Sequence, residues 1–219
     1  MIGIINYGMG NLHSVTSAIN RLGYPCFVSD KIDELTQADG LVLPGVGSFH
    51  DAMRQLTTRK LKDFIIKNAQ DRKPLLGICL GMQLLFEESD ENRPTKGLAL
   101  FKGRVKRLKG VTEEGESYNV PHMGWNSLDV RQSHRLLKNV KTNDYVYFVH
   151  SYVVVPEDDL ILATADYYGN LPAVVGHRHI FGTQFHPEKS SAAGLMILKN
   201  FCEIVKEGEH ERIYSLSGH

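Results

Sequence analysis

The 219-residue chain balances 25 Lys plus Arg against 25 Asp plus Glu, and 42% of its residues are hydrophobic; with no long basic run it offers no footprint for a nucleic-acid backbone or an anionic membrane surface. Three cysteines, Cys26, Cys79 and Cys202, lie far apart without C-x-x-C spacing, which argues against a disulfide framework or a zinc ribbon and fits a reducing, cytoplasmic setting. The opening MIGIINYGMG lacks the basic and apolar regions of an export leader, and no run nears the roughly 18 apolar residues of a membrane span, so a soluble, unexported protein is expected.

In chain order, IGIIN, NLHSVTSAINRLG, PCFVS, GLVLPG, LKDFIIKNAQ and PLLGIC alternate short apolar runs with helix-period segments. This alternation predicts an α/β fold with a mostly parallel open sheet and helices on both faces. From Gly97 to about Val130, LALFKGRVKRL and NVPHMGWNSLDV are strand-like around a polar KGVTEEGESY, as expected of an antiparallel β excursion. YVYFVHSYVVV, LILATADY and AVVGHRHIFGTQF are further strands. Ala192 to Lys206 is a helix with Leu195, Leu198, Cys202 and Val205 on one side. One domain is expected over residues 1–207, with 208–219 a polar tail prone to fraying.

One stretch carries chemistry. In Gly77-Ile78-Cys79-Leu80-Gly81 a nucleophile stands between two glycines, after an apolar strand and before a helical run with Met82, Leu85 and Phe86. This is the G-x-S-x-G elbow with cysteine for serine: the sharp strand-to-helix turn needs glycines because neighbouring Cβ atoms would collide. The helix start beneath the sulfur supplies free N–H groups that favour negative charge there. Cys26 and Cys202 fit the core.

A cysteine nucleophile needs an imidazole to carry its proton and a third group to fix the ring. His13, His50, His134, His210 and His219 lie in polar or helix-like surroundings with no carboxylate placed to orient them. His177 and His179 fall on one face of a strand, with no third metal ligand nearby in sequence, and His150 in YFVHSY suits a place beside the substrate. His186 stands apart. QFHPEKS sets it before a proline that keeps it extended, and residues i and i+2 of an extended chain share a face, so Glu188 reaches the ring. Acyl chemistry at Cys79 would also need N–H donors for an oxyanion. Leu80 supplies one, and LVLPGVGSF, with Gly45 and Gly47, allows close backbone approach for a second. Neither Gly8-Met9-Gly10 nor Gly45-Val46-Gly47 completes G-x-G-x-x-G, and there is no P-loop, so no cofactor and no metal are expected.

GICLGMQLLFE with QFHPEKS resembles the class I, triad-type glutamine amidotransferases over nearly the whole chain. Within that class, IINYGMGNLHSV, LPGVGSFHDAM and PHMGWN resemble the glutaminase subunits of imidazole glycerol phosphate synthases, of histidine biosynthesis. The resemblance implies a flavodoxin-like sheet and hydrolysis of L-glutamine through a thioester by Cys79, His186 and Glu188. By the same likeness the amides of Val46 and Leu80 fall on the oxyanion positions, and Gly47, Gln83, Glu91, Ser151 and Tyr152 on positions that hold glutamine. It further implies a heterodimer with a cyclase subunit that receives the ammonia. That partner would dock on two loops, YGMGN with Asn11 and PHMGWN with Met123, Trp125 and Asn126. Plainer roles stand beside these: Gln83 as a polar residue on an exposed helix turn, Glu91 as one of a solvated acidic cluster, and Trp125 packed inside the β excursion. An independent cysteine hydrolase or peptidase, or a silent binding module on the same fold, are the rival functions.

Overall fold

The computed structural model describes the backbone of residues 1–217 and side chains as far as Gly208. Ile2–Ile5 forms β1, Leu12–Arg21 α1, Cys26–Ser29 β2, Ile32–Thr36 α2, Gly40–Gly45 β3, Phe49–Thr58 α3, Leu61–Gln70 α4, Leu75–Cys79 β4 and Leu80–Leu84 α5. Glu88–Ser89 (β5) and Thr95–Lys96 (β6) lead to Gly103–Arg107 (β7), His122–Ser127 (β8) and Asp129–Val130 (β9). Tyr145–His150 (β10), Tyr152–Pro156 (β11), Ile161–Asp166 (β12), Asn170–His177 (β13), Ile180–Thr183 (β14) and Ser191–Ser217 (α6) follow.

Eight strands make the main sheet in the order β2-β1-β3-β4-β14-β13-β12-β9. The first five run parallel, and β13, β12 and β9 extend the sheet antiparallel. Side chains alternate across it as the period of two demands. Ile2, Ile4, Val42, Leu76 and Ile78 pack with Val15 and Ile19 of α1 and with Leu198, Phe201 and Val205 of α6. Ile5, Leu41, Leu43 and Leu75 face the opposite way, onto Leu35, Met53, Leu56, Phe64 and Ile65 of α2, α3 and α4. Both faces are therefore covered, as expected of a sheet built from βα units.

The excursion forms two smaller sheets, β10-β8 and β11-β7-β5-β6. It begins at Glu88, earlier than expected, and the β5–β7 pair within it is parallel. The run YVYFVHSYVVV is two strands, not one: it breaks at Ser151, with β10 pairing to β8 and β11 to β7. Helix α3 adds to the expected elements. Its signal was present in sequence, since Ser48 Oγ accepts from the Asp51 N–H at 3.2 Å as a capping serine does, and Phe49, Ala52, Met53 and Leu56 recur at helical spacing. His177 and His179 do not share a strand face, because the chain reverses between β13 and β14 through Arg178 at φ 57°. Helix α6 runs past Lys206 to Ser217, so the segment expected as a tail starts within it. The fraying expected there falls mostly on side chains beyond Gly208, outside the described residues.

Among the described residues no helix is long and apolar enough to cross a membrane. Phe201 of α6 is fully buried and its ring meets Phe181 edge-on at 6.4 Å. Phe201→Ala should lower stability by about 3–5 kcal/mol, read as a lower urea midpoint at unchanged m-value.

Candidate active site

Parallel pairing sets three strand ends side by side. Gly45, last in β3, lies opposite Cys79, last in β4, and Thr183, last in β14, lies opposite Ile78. The loops leaving these carboxyl ends are where open α/β sheets place ligands.

At Cys79 the backbone turns from strand to helix with φ 55° and ψ −112°, a conformation that costs a non-glycine residue roughly 1–3 kcal/mol. The flanking glycines supply space. A Cβ on Gly81 would run into the Leu43 carbonyl oxygen, and one on Gly77 would lie 2.5 Å from the Gly81 oxygen. Helix α5 is shorter than the expected run and ends at Leu84, and all five of its residues are buried. The sulfur sits 3.9 Å from the Val149 carbonyl, and Gln184 Nε2 donates toward it at 3.8 Å.

His186 follows β14 by three residues and is 2% exposed. Its N–H donates to the Tyr147 carbonyl at 3.1 Å, and its own carbonyl accepts from Ser190 Oγ at 2.6 Å, which pins its main chain to β10. His186 itself is extended, as a residue before proline should be. Glu188 reaches it differently from the expected extended pairing: Pro187–Lys189 is a 3₁₀ turn, with proline at a first helical position where no N–H is required. The turn brings Glu188 Oε1 to 2.8 Å from His186 Nδ1. Burial pulls the imidazole's pKa down, but hydrogen bonds to Cys79 and Glu188 and the charges on both outweigh it and hold it at about 9. Glu188 thus holds the imidazole from behind, and Cys79 and His186 both face the same cavity.

A cavity of about 420 Å³ opens beside the sulfur. Val46, Gly47, Leu80, Gln83, Glu91, Ser151 and Tyr152 line it with Cys79 and His186, so these expected residues are brought together, while Glu188 lies behind the imidazole. Gln83 is not on an exposed turn. It is 5% exposed, and its Nε2 donates at 3.1 Å to both the Tyr152 carbonyl and Gln184 Oε1. Glu91 is half-buried, its Oε2 accepting from the Phe49 N–H at the start of α3 at 2.9 Å. Burial raises its pKa, against that hydrogen bond, and Asp51 adds to the rise.

Three residues here escaped sequence reasoning. Gln184 precedes His186 by two positions, and that i−2 relation was the available signal. Tyr7, fully buried, places its hydroxyl against Gly45 with no hydrogen-bond partner; burial, reinforced by Cys79, pushes the phenol's pKa up. His122 gave no signal of its own.

The residues expected at a docking surface lie outside the cavity. Asn11 stands half-buried just before α1, without a side-chain capping hydrogen bond. Met123, Trp125 and Asn126 belong to strand β8 and not to a loop, because His122–Ser127 pairs residue by residue with β10. Met123 is 62% and Trp125 54% exposed. The indole meets the edge of the Tyr147 ring at 6.0 Å, and its exposure excludes a packed interior position. The Asn126 amide is engaged internally, donating to the Asp166 carbonyl at 2.8 Å.

Fold and site together define a glutamine amidotransferase of the triad type. The sequence model of the class-I glutamine amidotransferase family matches residues 3–205, and the chain belongs to that family. The imidazole glycerol phosphate synthase subunit HisH of Halalkalibacterium halodurans is 58% identical over 214 residues, spanning 97% of this chain and 100% of the relative. The subunit of that name from Bacillus subtilis is 52% identical over 208 residues, 94% and 98% of the two chains. Among solved structures, a glutamine amidotransferase superposes with a TM-score of 0.72 at 19% identity, covering 94% of this chain and 98% of the other. PurLQS from Thermotoga maritima gives 0.69 at 20% identity, covering 93% and 98%.

Glu188→Gln keeps an acceptor beside His186 Nδ1 and removes the charge. The imidazole pKa should then fall from about 9 toward the ordinary value, as followed by NMR titration of the ring resonances.

Proposed function

We propose that this chain is the glutaminase subunit of an imidazole glycerol phosphate synthase, working in the cytoplasm as a single amidotransferase domain. The observation that carries the reading is the Cys79–His186–Glu188 row at a strained strand-to-helix elbow, facing a cavity of about 420 Å³. The full-length similarity to subunits of that name supports the choice within the family.

In this reading His186 takes the proton of Cys79 and the sulfur attacks the side-chain amide carbon of glutamine. The amide oxygen takes the negative charge, met by the backbone N–H groups of Val46 and Leu80. Collapse expels ammonia with the proton from His186 and leaves a glutamyl thioester. Water, giving its proton to the same ring, then releases glutamate and restores the sulfur. Glu188 keeps the ring oriented throughout. Gly47, Gln83, Glu91, Ser151 and Tyr152 hold glutamine, with the half-buried Glu91 carboxylate suited to its α-ammonium group. Cys79→Ala should abolish glutamine hydrolysis, whereas Cys202→Ser should keep it at some cost in stability. A glutamine-like electrophile should label Cys79 in peptide mass spectra; labelling of Cys26 or Cys202 with Cys79 untouched would defeat the assignment.

Ammonia released into neutral water is mostly ammonium, a poor nucleophile, so useful transfer needs a partner seated over the mouth of the site. We place a cyclase subunit there, on a face that includes Asn11, Met123, Trp125 and, at its border, Asn126. The exposed indole of Trp125 beside Met123 suits an interface anchor. Trp125→Ala should weaken association by about 2 kcal/mol or more and reduce glutamine-dependent product formation, while the cyclase supplied with ammonia directly works unchanged. Unaltered affinity in titration calorimetry would remove Trp125 from the interface.

A further inference from the structure

Two buried histidines outside the catalytic row are joined to the pocket wall. His122 and His150 are 2% and 6% exposed, and His122 Nδ1 lies 3.0 Å from His150 Nε2. His150 Nδ1 lies 2.8 Å from the Tyr152 carbonyl oxygen, and Asn126 Nδ2 lies 3.2 Å from His122 Nε2. Donor accounting fixes every proton in this row. A carbonyl only accepts, so His150 carries its hydrogen on Nδ1 and accepts at Nε2. His122 must then donate from Nδ1 and accept at Nε2 from the Asn126 amide. Each ring is neutral, and each is the Nδ1–H tautomer. Out of plane, the His122 ring is held between Phe148 at 4.5 Å and Tyr167 at 4.0 Å, both stacked. Burial pulls both pKa values down to about 4, which keeps the row neutral at physiological pH.

The row ends at the point where β10 leaves one small sheet and β11 enters another. Ser151 and Tyr152 form this corner, and both line the cavity beside Cys79. The Leu108 N–H donates to the Ser151 carbonyl at 2.9 Å, and Tyr152 stands opposite Arg107. That is a non-hydrogen-bonded pair of the ladder, so the N–H and C=O of Tyr152 both face away from β7. The carbonyl takes two donors, His150 Nδ1 and Gln83 Nε2. We propose that His122 and His150 are positioning residues for glutamine: as a pair of neutral imidazoles they hold the Ser151–Tyr152 corner in its substrate-receiving shape. The inference rests on the glutaminase reading of this site. Neither ring takes part in proton transfer at Cys79.

His122→Phe keeps the stack between Phe148 and Tyr167 and removes the donor, freeing His150 to change tautomer and release the Tyr152 carbonyl. With the cyclase present, KM for glutamine should rise about tenfold, the cost of one buried hydrogen bond, with kcat within about threefold of wild type. His122→Asn, whose Nδ2 replaces the lost donor, should restore much of the affinity. A folded His122→Phe with unchanged KM, or with kcat lost and KM untouched, overturns the proposal. A wild-type chain that fails to hydrolyse glutamine overturns the functional reading as well. A second measurement needs no change at either histidine. Long-range ¹H–¹⁵N spectra of the wild-type chain should show both rings as neutral Nδ1–H tautomers at pH 7, and glutamine added to Cys79→Ser should shift the His150 Nδ1 resonance. An Nε2–H tautomer at either ring, or no response to glutamine at His150, overturns the proposal.

Discussion

The closeness of β3 to the start of α5 is the constraint on which the site depends. Gly81 sits so near Leu43 that its Cα has room for hydrogen alone, and this contact lets α5 begin directly over the end of β4. With the helix start fixed there and β4 held by β3 on one side and β14 on the other, the residue between them must make the whole turn. Cys79 does so at φ 55°. The same geometry lifts its side chain out of the sheet toward the loops leaving β3 and β14, which bring Val46 and His186. Strain at one residue is thus maintained by packing that involves many others.

The site also shows how one side-chain type is driven to opposite states. His186, His122 and His150 are all buried, and burial alone disfavours imidazolium in each. His186 has a carboxylate on one side and a sulfur on the other, and their charges reverse the effect. The other two face only neutral acceptors, each other and an amide, so burial prevails. A ring that favours its proton and a pair of neutral rings are made from the same side chain by what stands at its two nitrogens. The linkage signs differ accordingly. The raised His186 stabilises the fold below about pH 6.5 and loses that contribution as pH rises through about 9. The depressed His122 and His150 contribute above about pH 6.5 and lose it as pH falls toward about 4.

Legibility in sequence followed the range of the interaction. The parallel half of the sheet was readable because each strand is a short apolar run closed by glycine or proline, and the elbow because its glycines lie two residues from the cysteine. His186 and Glu188 were readable as a pair even though the turn that joins them is 3₁₀ and not extended, since either geometry leaves a two-residue separation within reach. Trp125 was placed in a loop by the family resemblance, whereas the strand-like reading of NVPHMGWNSLDV agrees with its cross-strand pairing to Tyr147. The break at Ser151 was invisible: nothing local distinguishes a long strand from two strands that join different partners. His122 and Gln184 were missed for a related reason. Their partners, His150 and Gln83, are 28 and 101 residues away.

That break at Ser151 explains why an amidotransferase sheet carries a β excursion at all. The main sheet supplies the thiol and the imidazole, while part of the cavity wall comes from the excursion. That part runs through Val149 to Tyr152, whose main chain can be aimed only if its carbonyls are occupied. Leu108, Gln83 and His150 occupy those of Ser151 and Tyr152. Gln83 belongs to α5, which follows Cys79 directly, so the wall and the elbow share a residue. The short helix that fixes Cys79 from below therefore also fixes the wall across the cavity, and a displacement of either is felt by both.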